Sequence, residues 1–125
     1  MKSYWLNIPV KDVQASKAFF SGIGLETRDG QDPEQLASVH MGSMVFCLFR
    51  NDVLSSFIQA PISDTSTGNE MIVSFDLSTK EEVDTLCEKI EEHGGKVLAG
   101  PSVMNGYYGC LFTDLDGHKY NVIVM

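Results

Sequence analysis

Between residues 83 and 90, Val83, Leu86, Cys87 and Ile90 recur at i, i+3, i+4 and i+7, the spacing that puts four apolar side chains on one face of a helix. The pattern predicts a helix over 79–94. Ser78 or Thr79 can supply the N-cap oxygen, with Glu81 or Glu82 three residues on as the reciprocal partner, and Gly94-Gly95 stops the helix. An earlier helix is predicted over 12–23, capped by Asp12, weighted with Phe19, Phe20 and Ile23 at its apolar end and closed at Gly24. Each follows an apolar strand, Tyr4 to Val10 (YWLNIPV) and Met71 to Leu77 (MIVSFDL). The order strand then helix thus repeats after about 65 to 70 residues.

Strands fill most of what remains. Glu26 to Asp29 reads as a weak strand, and GQDPEQ after it as a loop. Leu36 to Met41 and Met44 to Arg50 read as a hairpin around Gly42-Ser43. Asn51 to Gln59 fits either a short helix or an edge strand, and the Ser, Thr, Gly and Asp content of 61–69 marks a linker. In the second half Lys96 to Ala99 is a strand, Gly100 to Gly106 a mobile loop that would gate a cavity, and Tyr107 to Thr113 pairs with His118 to Met125 across the turn Asp114-Leu115-Asp116-Gly117. The expected fold is α+β: two βαβββ modules, 1–60 and 70–125, joined by 61–69 into one domain spanning 1–125. A chain of 125 residues holds one proper core.

Composition narrows the function. A formal charge of −8, with Glu81, Glu82, Asp84, Glu88, Glu91 and Glu92 gathered on the second helix, excludes a phosphate-neutralising surface, so no nucleic acid is expected as partner. That acidic run reads as a solvated helix face. No apolar run is long enough to span a membrane, and none of signal-peptide length opens the chain, which makes the cytoplasm the expected location. Cys47, Cys87 and Cys110 show no CxxC spacing and are expected to be reduced, buried and structural.

Period-2 alternation assigns the strand faces. Leu6, Ile8 and Val10 form the helix-facing set of the first strand, leaving Trp5 and Asn7 on the other side. In its counterpart Met71, Val73 and Phe75 face the helix, and Glu70, Ile72 and Ser74 the opposite side. In the last strand Tyr120, Val122 and Val124 point to the core while Lys119, Asn121 and Ile123 do not. The free sheet faces would then curl round a shared cavity carrying Trp5, Asn7, Glu70, Ser74, Lys119 and Asn121, with an ion pair available between Glu70 and Lys119. Polar sheet-edge positions and one core tryptophan account for the same residues without a ligand.

The stretches NIPVKDVQASKAFF with Gly24-Leu25, EEVD with GGKV at 94–97, and FTDLDGHKYN at 112–121 resemble the vicinal-oxygen-chelate superfamily, which holds glyoxalases, bleomycin resistance proteins and extradiol dioxygenases. The wording is similar to a bacterial subgroup labelled predicted lactoylglutathione lyases. The resemblance implies paired modules forming a cup, commonly in a homodimer. It also implies that metal-using relatives take ligands from the first strand of each module, often His, and from a late strand of each, often Glu. Carried over, these positions fall on Trp5, Glu70, Asn121, and either Phe46 or Cys47. Of these only Glu70 is a good ligand for a hard cation. His40 and His118 near strand ends and His93 at a helix terminus do not repair the set. No metal and no cofactor are therefore expected. One reading is a metal-free protein that holds a small organic molecule, with Trp5, Phe46, Phe49, Tyr107 and Tyr108 as aromatic surface and Asn7, Ser74, Lys119 and Asn121 as polar contacts. The alternative is a lyase, isomerase or dioxygenase in which Glu70 binds a metal and moves a proton. A structural protein without a ligand is the third.

Overall fold

A computed structural model describes residues 1–125, which divide into two compact units, Met1–Ser63 and Asp64–Met125. The first runs β1 (Leu6–Val10), α1 (Val13–Gly22), β2 (Glu26–Asp29), β3 (Leu36–Met41), β4 (Met44–Arg50) and α2 (Asn51–Ile58). The second runs β5 (Ile72–Leu77), α3 (Lys80–Glu92), β6 (Lys96–Met104), β7 (Tyr107–Thr113) and β8 (Lys119–Val124). Each is a βαβββ module, and the first carries α2 in addition. No helix is long and apolar enough to cross a membrane.

In the first unit the strand order is β1-β4-β3-β2, with β1 parallel to β4 and the other pairs antiparallel. Asp12 Oδ1 accepts from the Ala15 amide at 3.0 Å and so starts α1 where the sequence placed its cap. Val13, Phe19 and Phe20 of this helix are buried, as are Ile8, Val10, Ala37, Val39, Phe46 and Leu48 of the sheet. Cross-strand register puts Phe46 beside Leu6 and Val39, inside this core, so Phe46 offers no aromatic surface to a ligand as expected from sequence. The segment after β4 is a helix, not an edge strand. It buries Leu54 and ends at Gln59 in the left-handed conformation.

The second unit has the order β5-β8-β7-β6, again with one parallel pair, β5 with β8. Thr79 caps α3, its hydroxyl oxygen accepting from the Glu82 amide at 3.1 Å. Val83, Leu86, Cys87 and Ile90 are all buried, as their spacing predicted. They cover Cys110, Phe112, Tyr120 and Val122; Phe112 stacks on Tyr120 at 5.0 Å and meets Phe75 edge-on at 6.2 Å.

The Gly100 to Gly106 loop expected from sequence is not a loop. β6 continues through it and pairs Ser102 with Gly109, Val103 with Tyr108 and Met104 with Tyr107. Gly100 and Pro101 are absorbed where the register shifts between Ala99 and Ser102, which is how a strand carries a glycine and a proline without ending. Only Asn105 and Gly106 turn, both at positive φ (51° and 86°), as a two-residue hairpin of this twist requires. A gate made of this segment is thereby withdrawn.

Candidate functional site

Each sheet has one face under its helix and one open face, and the open faces hold the polar residues. In the first unit Asn7, Cys47 and Ser38 stand side by side across β1, β4 and β3. His40, two residues along β3, shares a 3.2 Å hydrogen bond between its Nε2 and the Ser38 hydroxyl. Phe49 shares this face with Cys47. The choice between Phe46 and Cys47 is thus decided for Cys47, which is half-buried and not buried as expected; burial pushes its thiol pKa up. Trp5 lies one residue before β1 and is 55% exposed. From sequence His40 reads only as a strand-end residue. The alternation of Leu36, Ser38 and His40 with buried Ala37 and Val39 was the signal for its place on the open face.

In the second unit Ser74, Asn121 and Leu111 form the corresponding row across β5, β8 and β7, and the Asn121 amide donates to the Ser74 hydroxyl at 3.3 Å. Ile72 and Lys119 pair in the adjoining row. An open hollow of about 290 Å³ lies here, lined by Asn69, Glu70, Met71, Ile72, Leu111 and Lys119. Two expectations fail. The Lys119 ammonium donates to the Gly117 carbonyl at 3.1 Å and makes no ion pair with Glu70, which sits before β5 and is exposed. Met71 also precedes the strand, is exposed, and lines the hollow instead of facing the helix.

The two tyrosines separate. Tyr107 is half exposed at the hairpin end of β7. Tyr108 points the other way, toward α3: its hydroxyl donates to Asp84, the Lys80 ammonium stands 5.3 Å from its ring centre, and the Asp84 bond with burial pushes the phenol up to about 12. Tyr108 shares the parity of buried Cys110 and Phe112 and is removed from the ligand-facing set.

The helix caps give the equivalence between modules. Trp5 precedes the cap Asp12 by the same interval as Ile72 precedes Thr79, so the counterpart of Trp5 is Ile72, and Asn7 matches Ser74. Glu70 falls two residues before that position. Asn7 pairs with Cys47 as Ser74 pairs with Asn121, which completes the four. An indole, a butyl side chain, a thiol held protonated by burial and a carboxamide do not make a site for a hard or borderline divalent ion. No three His, Cys, Asp or Glu side chains gather anywhere in the chain so as to hold one.

Two βαβββ modules with open faces define a class of paired-module proteins. Residues 3–122 match the Glyoxalase/Bleomycin resistance protein/Dioxygenase superfamily, and the chain belongs to it. The hypothetical protein SA1046 from S. aureus is 32% identical, with 100% of this chain and 94% of that chain covered and a TM-score of 0.90. The fold also matches a lactoylglutathione lyase from Agrobacterium tumefaciens (21% identity, 99% and 94% covered, TM-score 0.67). A further fold match is the fosfomycin resistance protein FosX from Listeria monocytogenes (18% identity, 100% and 91% covered, TM-score 0.73). No curated protein matches the chain.

Proposed function

We propose that this chain binds a small, uncharged or cationic organic molecule on the open faces of its sheets, and does so without a resident transition metal. One observation carries the reading: the positions equivalent by cap spacing and strand register, Trp5, Cys47, Ile72 and Asn121, present apolar area and hydrogen-bonding groups but no ligand set. Ile72, Met71 and Leu111 give the hollow of the second unit its apolar wall; Asn69 supplies an amide, and Glu70 and Lys119 one charge of each sign, with the Asn121 amide in the adjoining row. Trp5, Asn7 and Phe49 offer a similar mixture on the first unit. The exposed Glu70 carboxylate in the hollow also favours the second reading, a metal-dependent lyase, isomerase or dioxygenase in which Glu70 is one ligand and a dimer partner supplies others. A fosfomycin resistance protein and a lactoylglutathione lyase share the fold.

The discriminating experiment is metal analysis of protein purified without chelator, followed by a thermal-shift screen of Zn²⁺, Ni²⁺, Mn²⁺ and a library of aromatic amines and neutral aromatic compounds. The expected result is no retained metal and a hit among the organic compounds. For that hit Asn121→Ala, where the molecule sits on the second unit, or Trp5→Ala, where it sits on the first, weakens binding by more than about tenfold, the scale of one lost polar or aromatic contact, while Glu88→Ala on the exposed face of α3 leaves it unchanged. Stoichiometric zinc or nickel that survives gel filtration and is lost on Glu70→Ala reverses the reading in favour of the enzyme.

The same proposal includes a cytoplasmic homodimer of single-domain chains. Three free cysteines suit a reducing compartment. Each four-stranded sheet leaves two edge strands with unpaired backbone groups, which pairing between chains would cover. Sedimentation at working concentration should return twice the chain mass; a 13.8 kDa species rejects the dimer.

A further inference from the structure

The Cys87 and Cys110 sulfur atoms stand 3.0 Å apart, closer than two sulfurs in ordinary contact, although one cysteine is on α3 and the other on β7. Packing alone needs only two small apolar side chains there. We propose that Cys87 and Cys110 are an oxidation site, converted by a small two-electron oxidant of the peroxide class into a disulfide that ties α3 to β7. The sulfurs need to close by only about 1 Å to reach the bonding distance of about 2.05 Å.

The step balances as two thiols and one peroxide giving one disulfide and two waters. Cys87 is the residue with some exposure, 6% against 0% for Cys110, and its sulfur attacks the peroxide oxygen; the O–O bond breaks, the leaving oxygen departs as water, and Cys87 becomes a sulfenic acid. The Cys110 sulfur then attacks that of Cys87, the S–O bond breaks, and the second water leaves with the Cys110 proton. Burial pushes both thiols up, so reaction is slow until α3 loosens. Once formed, the bond closes the segment from α3 to β7 and restricts the unfolded chain. The α3 helix and β7 strand lie in one compact unit, so the cross-link requires no change in how the units are placed.

The test uses the full chain, reduced, treated with hydrogen peroxide and then alkylated under denaturing conditions. Trypsin cleaves at Lys80, Lys89, Lys96 and Lys119 and therefore releases the two cysteines on separate peptides. The expected product has lost the mass of two hydrogen atoms, contains those peptides joined, reverts with dithiothreitol, and melts about 5 °C or more above the reduced form. Cys47→Ala gives the same product; Cys110→Ala does not. Recovery of Cys87 and Cys110 as alkylated thiols after Cys47 has been oxidised overturns the proposal. So does sulfinic acid on Cys87 without a cross-link, or a disulfide to Cys47.

Discussion

Gly109→Ala is expected to lower stability by about 3 kcal/mol or more and to leave little folded protein at 37 °C. Gly109 lies in β7, between Ser102 of β6 and Ile123 of β8. A Cβ there would collide with the Val122 carbonyl oxygen and stand 3.1 Å from the Ile123 Cα, both backbone atoms, so no side-chain rotation relieves the clash. The strand would have to move away from β8, and with it the contacts that bury Cys110, Phe112, Tyr120 and Val122. Gly42→Ala separates this effect from backbone strain. Gly42 has φ 58° with open space around its Cβ direction, so its replacement should cost only about 1 kcal/mol. Urea denaturation with unchanged slope gives both numbers; equal midpoint shifts for the two variants would mean that β7 and β8 are not as closely apposed as described.

The contrast between Gly109 and the predicted loop shows what the chain makes legible. β2, β3, β4 and β7 occupy the bounds expected from alternation and turn residues, and both capped helices start at Asp12 and Thr79, because those signals are local. The segment from Gly100 to Gly106 reads from sequence as a loop, yet pairing with β7 holds Gly100 and Pro101 in a strand. That pairing is a tertiary fact with no mark at those positions, although the Asn105-Gly106 doublet marked the hairpin itself.

The open faces were legible to the same extent. Alternation placed Asn7, Ser74, Lys119 and Asn121 on them, and applied to β7 it would also have placed Tyr108 with Cys110 and Phe112. The position of Glu70 was not legible from alternation, because a slip of two residues leaves a side chain on the same face. Only the caps, which fix where β1 and β5 lead into their helices, show that Ile72 is the residue matched to Trp5. Nor does periodicity reveal that Lys119 turns to the Gly117 carbonyl instead of Glu70, since a lysine has several acceptors within reach and geometry selects among them.

Asp114→Ala should cost about 2–4 kcal/mol and Asp114→Asn clearly less, which separates hydrogen bonding from charge. Asp114 is 4% exposed between β7 and β8. Its Oδ1 accepts from the amides of Asp116 and His118 at 2.9 and 3.1 Å, and its Oδ2 from the buried Tyr120 hydroxyl at 2.8 Å. Thr65 donates its hydroxyl to the Asp116 carbonyl at 2.6 Å on the far side of the same turn. Alanine removes every acceptor at once and strands the Tyr120 hydroxyl, whereas asparagine keeps an oxygen for the two amides. Burial raises the Asp114 carboxyl pKa above the ordinary carboxylate range; the His118 charge and the bonds from Tyr120 and the two amides lower it without offsetting burial. A folded value above the unfolded one means that the folded protein keeps a proton that the unfolded chain has released. The stability of the wild type relative to Asp114→Asn is therefore greatest below pH about 4, falls as pH rises through the raised folded value, and is level above it. Denaturation of both proteins at a series of pH values reads this difference directly, and a difference that grew with pH would show that the amide and tyrosine donors outweigh burial at this carboxylate.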